Sequence, residues 1–392
     1  MKRKNNHVQN KANLRFLYIA GFLLSISTAL PAFIQSNFLN QFIKLESVSL
    51  VFIFAHALNF IFILNFPKLI KRFTNFFLSK TILIIYALAL LNLSLANSPA
   101  HALISFIFLI ISNNLLFITL DVLIESFSHN ETTGRTRATY FTFNNLGWII
   151  APFLSSRLID AYGYSLSFLV AAILVIPVFL IFIKQGKHLK DKVAYKEGRL
   201  FSAIKNLFKN KNLRSIFFIA TLLQIFYSTA VVYIPIYLHQ NLGMDWEVLG
   251  VIFSIMLIPF VLIEIPAGII ADKHLGEKEF LYTGLAILTL SLFLFYYIKS
   301  DLFLVWAGVL FFSRIGAALI EAMRESYFFK IVDVEDVDYI NIFRTATPLG
   351  YIIGSVLAIL ILLFLPLQYL FLLISILMLT GFIFTTTLQD TK

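Results

Sequence analysis

Ionisable side chains set inside long apolar stretches are where this chain could do chemistry. Asn114, Asp121 and Glu125 fall in one such stretch, and Arg314, Glu321 and Glu325 repeat the spacing 200 residues later. Steps of 7 and 11 residues bring a helix back to within about 20° of the same direction, so each triad shares a helix face. A charge buried in a bilayer costs about 2.5–3.5 kcal/mol on insertion scales, which makes each a candidate for function. Arg314 lies near the middle of its stretch, where a lone guanidinium can grip an anionic group through two parallel bonds. The other reading of Arg314 is a structural ion pair with a neighbouring carboxylate. Glu264, Glu321 and Arg344 fall at similar depth, so Arg344 is expected to pair with one of those two carboxylates. A carboxylate that loses and regains an arginine partner can carry protons. Asp121 and Glu125 lie closer to a helix end, where gating and loop anchoring compete with ion carriage. Gln224, Tyr227 and Ser228 share a face of another stretch, with Tyr233 further along, and Ser25, Thr28 and Gln35 lie in the first.

The elements that must position these groups follow from composition. Of 392 residues 59% are hydrophobic and only 13% charged, about half the charged share of a soluble domain. That excludes an ordinary soluble enzyme, a nucleic-acid-binding domain and a disordered chain. Twelve stretches are long and apolar enough to cross a bilayer: roughly 15–38, 46–66, 77–97, 102–124, 138–158, 164–184, 212–238, 246–268, 279–298, 302–324, 338–363 and 367–387. Residues 1–38 read as an uncleaved first crossing rather than a signal peptide. With the N-terminus inside, 25 of the 31 basic residues fall on the inner side. Lys44, Arg157 and Lys299 fall outside, and Arg314, Arg324 and Arg344 lie within spans or at their ends. Such a bias is what the positive-inside rule predicts, and one missed crossing would invert every later loop. Both termini are therefore expected in the cytoplasm. Three parts result: a first six-helix bundle over 1–184, a basic linker over 185–211 and a second bundle over 212–392. In the linker Leu200, Ile204, Leu207 and Phe208 recur at helical spacing among basic residues, as in a helix lying on anionic lipid.

The two halves are related. Leu120-Asp121 and Glu125-Ser126-Phe127 match Ile320-Glu321 and Glu325-Ser326-Tyr327, and Leu146-Gly147-Trp148-Ile149-Ile150 matches Leu349-Gly350-Tyr351-Ile352-Ile353. Pro67 and Pro266 match near the ends of spans two and eight. Two six-helix halves, a basic central loop and inward termini resemble the major facilitator superfamily over nearly the whole chain. Its loop signature is similar to Gly268-Ile269-Ile270-Ala271-Asp272-Lys273 with Gly276 one position late. The first half reads Pro67-Lys68-Leu69-Ile70-Lys71-Arg72, without the glycine or the aspartate. In span five, Ala138, Gly147, Ala151-Pro152 and Ser155-Ser156 are similar to the small-residue run of the family's antiporters, which favours export; close helix packing explains them equally well. The resemblance implies an all-α integral membrane fold of twelve transmembrane helices in two pseudo-symmetric six-helix bundles. It also implies a central site lined by spans one, four, seven and ten. It further implies that the loop after span two faces the start of span eleven, and Asp272 the start of span five. Lys71 and Arg72 would then meet the acidic Asp333–Asp338 run through Asp336, while Asp272 and Lys273 would lie near Arg135 and Arg137. Two gate latches are expected, the first with reversed polarity; the other reading is solvated loop charges obeying topology.

No phosphate-cradling GxxxxGK[ST], no metal spacing and no catalytic triad is found, so neither enzyme activity nor a cofactor or metal is expected. His56 is read either as a proton group or as a packed, hydrogen-bonded histidine. The expected function is secondary transport of a small solute by rocking of two halves, proton-coupled and directed to efflux. The rival class is a non-transporting sensor or lipid-handling protein on the same scaffold. Expected partners are the small-molecule substrate, protons or another coupling ion, and membrane lipid, with no nucleic acid. The chain is expected to act as a monomer in the plasma (inner) membrane. If the first latch exists, Lys71→Asp shifts the accessibility of the inner gate to a thiol reagent, and Asp336→Lys in the same chain restores it. Unchanged labelling in both variants removes the latch.

Overall fold

The computed structural model describes residues 2–127, 133–185, 200–332 and 337–389, and among these every regular element is a helix. In lipid each backbone polar group must be satisfied within the segment, and a helix does this locally. Eleven helices are long and apolar enough to cross a membrane. They are Leu14–Asn40, Leu45–Ile70, Asn75–Ser94, Pro99–Ile124, Tyr164–Lys184, Lys211–Asn241, Trp246–Ile270, Glu277–Tyr297, Phe303–Ile331, Asp338–Leu362 and Gln368–Thr387. The stretch expected as the fifth crossing is also a helix, Thr133–Tyr162. It carries Asn144, Asn145, Ser155, Ser156, Arg157 and Asp160, which leave it less apolar than the others. With it included these are spans one to twelve.

Several spans depart from regular geometry: span eleven is interrupted at Thr345 and span twelve at Leu379, and spans one and seven change their backbone bonding. Span one breaks after Pro31, where the Ile34 N–H donates to the Pro31 carbonyl at 3.1 Å before a short helix, Gln35–Asn40, resumes. Span seven contains Pro235, which has no N–H. The backbone on either side widens to i→i+5 bonding over Thr229–Tyr233 and Tyr237–Asn241. The expected linker helix is present as Leu200–Lys209. It buries Ala203 and Leu207, sets Phe208 edge-on to Phe217, and packs on spans seven and eleven.

The chain divides into two compact units, Met1–Phe42 with Asn65–Ala194, and Ile43–Leu64 with Tyr195–Lys392. The first part of span two therefore clusters with the second unit. Within the first unit span one packs on five and six, and span three on four and six. Within the second, span seven packs on eleven and twelve, and span nine on ten and twelve. The same pairs recur six spans on, so the internal repeat is a repeat of packing.

The glycine in each repeated motif makes the close approach possible. A Cβ on Gly147 would stand 1.9 Å from Ser25 Oγ and 3.1 Å from the Ile26 backbone nitrogen. A Cβ on its mate Gly350 would stand 2.7 Å from the Gln224 carbonyl carbon and 2.8 Å from the Ile225 nitrogen. Gly350→Ala should therefore destabilise the protein by about 1–3 kcal/mol through overpacking. Gly308→Ala, where a Cβ meets open space, should leave the melting temperature in detergent unchanged.

Candidate functional site

Arg314 is 2% exposed near the middle of span ten. Its guanidinium lies 5.0 Å from the ring centroid of Phe226 in span seven. Such a contact offsets part of a desolvated cation's cost, by about 2 kcal/mol or more. Tyr227 and Tyr351 are the titratable groups that interact with it electrostatically, and its Nη1 is buried without a hydrogen-bond partner. Among the described residues no carboxylate lies within ion-pair distance, so the structural-pair reading of Arg314 is not what the fold forms.

The carboxylates of span ten sit further along the helix, each with partners of its own. Glu321 accepts a short hydrogen bond from the Tyr227 hydroxyl and lies 3.6 Å from Arg324. Arg324, 5% exposed, is also 3.6 Å from Glu325. Arg344, expected at Glu264 or Glu321, grips Glu325 with two parallel bonds of 2.7 and 3.1 Å. The helix Val337–Arg344 brings Arg344 to Glu325, one turn past Glu321 on the same face of span ten. Glu264 lies half-buried in span eight.

Span seven divides its polar face between two neighbours. Tyr227 turns to Glu321. Gln224 and Ser228 are buried against span eleven, where they meet Gly350 and Gly354. Ser228 gives its hydroxyl to the Ile225 carbonyl at 2.8 Å. Of the expected substrate contacts on this span, the structure thus brings only Tyr227 to Arg314; the other two are closed off because a glycine lets span eleven approach so near.

In the first unit Asn114 is half-buried and donates to the Ile110 carbonyl at 2.9 Å. Asp121 interacts electrostatically with buried Tyr140. Arg72 is exposed and lies over the Phe73 ring at 5.2 Å, and Lys273 is exposed. The side chains of Lys71, Glu125, Arg135, Arg137 and Asp272, and Asp336 as a whole, lie outside the described residues, and so do the latches built from them.

The sequence reading missed Asn59 and Glu277, and left the role of His56 open between a proton group and a packed, hydrogen-bonded histidine. His56 packs, but not through hydrogen bonds: it stacks on Tyr351 at 4.4 Å, and both ring nitrogens are buried without a partner. Asn59, one turn on, is in the same condition at both amide atoms. The signal was present in the 3-4-3 spacing of Ser49, Phe52, His56 and Asn59. The second missed group is Glu277, fully buried at the start of span nine. It lies 2.5 Å from Lys330 and accepts from Ser326 at 2.9 Å, tying spans nine and ten at one end. A recess of about 250 Å³ lined by Tyr237, Asn241, Lys299 and Gln368 lies at the loop ends of the spans, away from Arg314.

The family model of the Major Facilitator Superfamily matches residues 15–263 and again 216–391. None of the curated proteins matches. Among solved structures, a bacterial homologue of the human lysosomal transporter Spinster, inward-facing and unoccupied, is similar with a TM-score of 0.73 at 12% identity, covering 97% of each chain. A variant of the nucleoside transporter NupG is similar with a TM-score of 0.75 at 15% identity, covering 96% of this chain and 100% of that one. At these identities the likeness is one of fold.

The Arg344–Glu325 fork should be the strongest ion pair of span ten. A double-mutant cycle of Arg344→Ala and Glu325→Ala, read by thermal unfolding in detergent, should give a coupling of about 1–3 kcal/mol. Additive losses would mean that the pair contributes nothing.

Proposed function

The chain belongs to the major facilitator superfamily, and on that premise we propose that it moves a small organic anion or amphipathic acid by alternating access, coupled to protons and directed outward. The observation that carries this reading is Arg314. A buried guanidinium with an unpartnered nitrogen and no carboxylate has lost its hydration without gaining a counter-ion. An anionic solute supplies both the charge and the acceptors, through charge-assisted bonds stronger than neutral ones. Tyr227 and Tyr351, both half-buried, offer the apolar body of the solute aromatic surface beside that anchor.

Glu321 is the proposed proton carrier. Glu325 is already held by the two-pronged grip of Arg344, whereas Glu321 has a longer contact to Arg324 and a hydrogen bond from Tyr227. Protonation of Glu321 would weaken its hold on Arg324 and free the Tyr227 hydroxyl beside the solute anchor, which links the proton to the solute. Glu264, Asp121 and Glu125 are secondary candidates for the same task. Asn114 would add a polar contact from span four. The outward direction is supported by the small-residue run of span five, and the inner-membrane setting with cytoplasmic termini by the placement of the basic residues. The loop charges Asp272, Lys273, Arg135 and Arg137 on one side, and Lys71, Arg72 and Asp336 on the other, are the proposed inner latches. Exposed pairs contribute only about 0–1 kcal/mol each, so they would bias the gate without locking it.

A thermal-shift screen of organic acids and their neutral methyl esters on purified protein tests the anchor. Acids should stabilise the wild type and esters should not. Arg314→Ala should weaken acid binding about tenfold to a hundredfold, the equivalent of about 1.5–3 kcal/mol, while Asp121→Asn retains it. In proteoliposomes Glu321→Gln should keep acid binding and abolish acid-driven proton movement. Acid binding untouched by Arg314→Ala would sink the assignment.

A further inference from the structure

Span two carries a polar stripe that transport by Arg314 does not use. Ser49, Phe52, His56 and Asn59 follow one another at steps of 3, 4 and 3 residues, which is one face of a helix. This segment lies within the second unit. Ser49 is hydrogen-bonded to Tyr233 of span seven at 2.9 Å, which pins the stripe at one end. His56 lies nearly flat on Tyr351 of span eleven, 4.4 Å between centroids and 23° between planes, with Phe52 stacked beside it. The stack leaves the nitrogen-bearing edges of the imidazole pointing sideways. His56 is 2% exposed and Asn59 0%, yet Nδ1 and Nε2 of the first and Oδ1 and Nδ2 of the second have no hydrogen-bond partner.

Four buried polar atoms without partners, on two side chains one turn apart, do not serve packing. Each unsatisfied group costs about 1–3 kcal/mol, and a phenylalanine and a leucine would fill the same places without that cost. Native proteins keep such groups where function, a bound ion or an ordered water completes them, and a solute polar group can take that place. Tyr351 connects this pair to the anchor: the ring that stacks on His56 is the one whose phenol interacts electrostatically with Arg314. Tyr351 and Tyr227 are half-buried, which leaves part of each ring open between the two groups.

We infer that His56 and Asn59 form a second polar subsite for the transported solute, and that the solute is an organic anion which also bears a hydroxyl or carboxamide group. The acid end goes to Arg314, the apolar body lies along Tyr351, and the hydroxyl or amide exchanges hydrogen bonds with the imidazole and the Asn59 amide. This rests on the reading that Arg314 takes the acid. A neutral imidazole has one donor and one acceptor and a carboxamide has both, so the pair suits a group that also does both.

The test uses phenylalkanoates of two to six chain carbons with a para hydrogen, hydroxyl or carboxamide, each as acid and as methyl ester. Binding to the purified full chain is measured by calorimetry. In the wild type the best hydroxyl or carboxamide acid should bind about tenfold more tightly than its para-hydrogen parent. His56→Phe and Asn59→Leu should each erase that preference while leaving the parent acid's affinity unchanged, and His56→Gln should keep part of it. Without ligand both apolar variants should melt at or above the wild-type temperature, because a buried unsatisfied group is removed. A histidine with a merely structural role would melt lower when replaced. A hydroxyl preference that is absent in the wild type, or that survives both substitutions, overturns the subsite. Acids and esters binding alike, with the preference present and erased by His56→Phe, would overturn the Arg314 anchor and support the span-two subsite.

Discussion

A guanidinium withdrawn from water at the middle of an apolar helix, with no carboxylate within ion-pair distance among the described residues, is a physical constraint on the second unit. Its cost has to be met by something other than an ion pair. Phe226 gives a ring face, Tyr227 and Tyr351 give phenols, and the carboxylates of span ten are kept along the helix by partners of their own. Glu321 is occupied by Tyr227 and Arg324, and Glu325 by Arg344. Each pairing keeps a negative charge from collapsing onto Arg314. Nearer the end of the span the charges are balanced among Glu321, Arg324, Glu325 and Arg344, and on the reading proposed above Arg314 is left to accept an anion.

The same arrangement explains why the two motif glycines matter. Gly147 and Gly350 occupy equivalent places in the repeat, and each lets its helix lie against the backbone of span one or span seven. In the second unit this contact buries Gln224 and Ser228 and leaves Tyr227 as the polar side chain of span seven that meets a carboxylate of span ten. A packing requirement thereby selects which polar residue of a helix face is available for chemistry. The small residues of span five, similar to an export signature, include one whose role here is this close packing.

The crossings were legible because a bilayer imposes length and apolarity directly on the chain. The observed spans start and stop within about five residues of the expected stretches, apart from span ten, which runs on to Ile331. Span five is the weakest by composition, and its polar residues are the reason. The placement of Arg314 inside an apolar helix was also legible, since a charge in an apolar run stands out by residue type alone. Pairing was less so. Arg344 was expected at Glu264 or Glu321 on the basis of depth alone, but depth leaves open rotation about the helix axis and the bend at the start of span eleven. One reading of His56 was a satisfied histidine, because most buried histidines are, and the absence of a partner is a property of neighbours that one helix cannot reveal.

The sequence by itself determined that this chain lives in a membrane, how its helices are spaced, that its halves repeat one another, and which charges interrupt its apolar runs. Those follow from one-dimensional quantities: run length, periodicity and residue type. Only the tertiary structure decided that Arg314 has no carboxylate within ion-pair distance among the described residues, that Glu325 holds Arg344, that Ser228 is closed off, and that His56 and Asn59 are unsatisfied beside Tyr351. Each of these depends on how two helices rotate and how closely they approach, and that is set by side-chain volume at their contact rather than by any pattern along a single span.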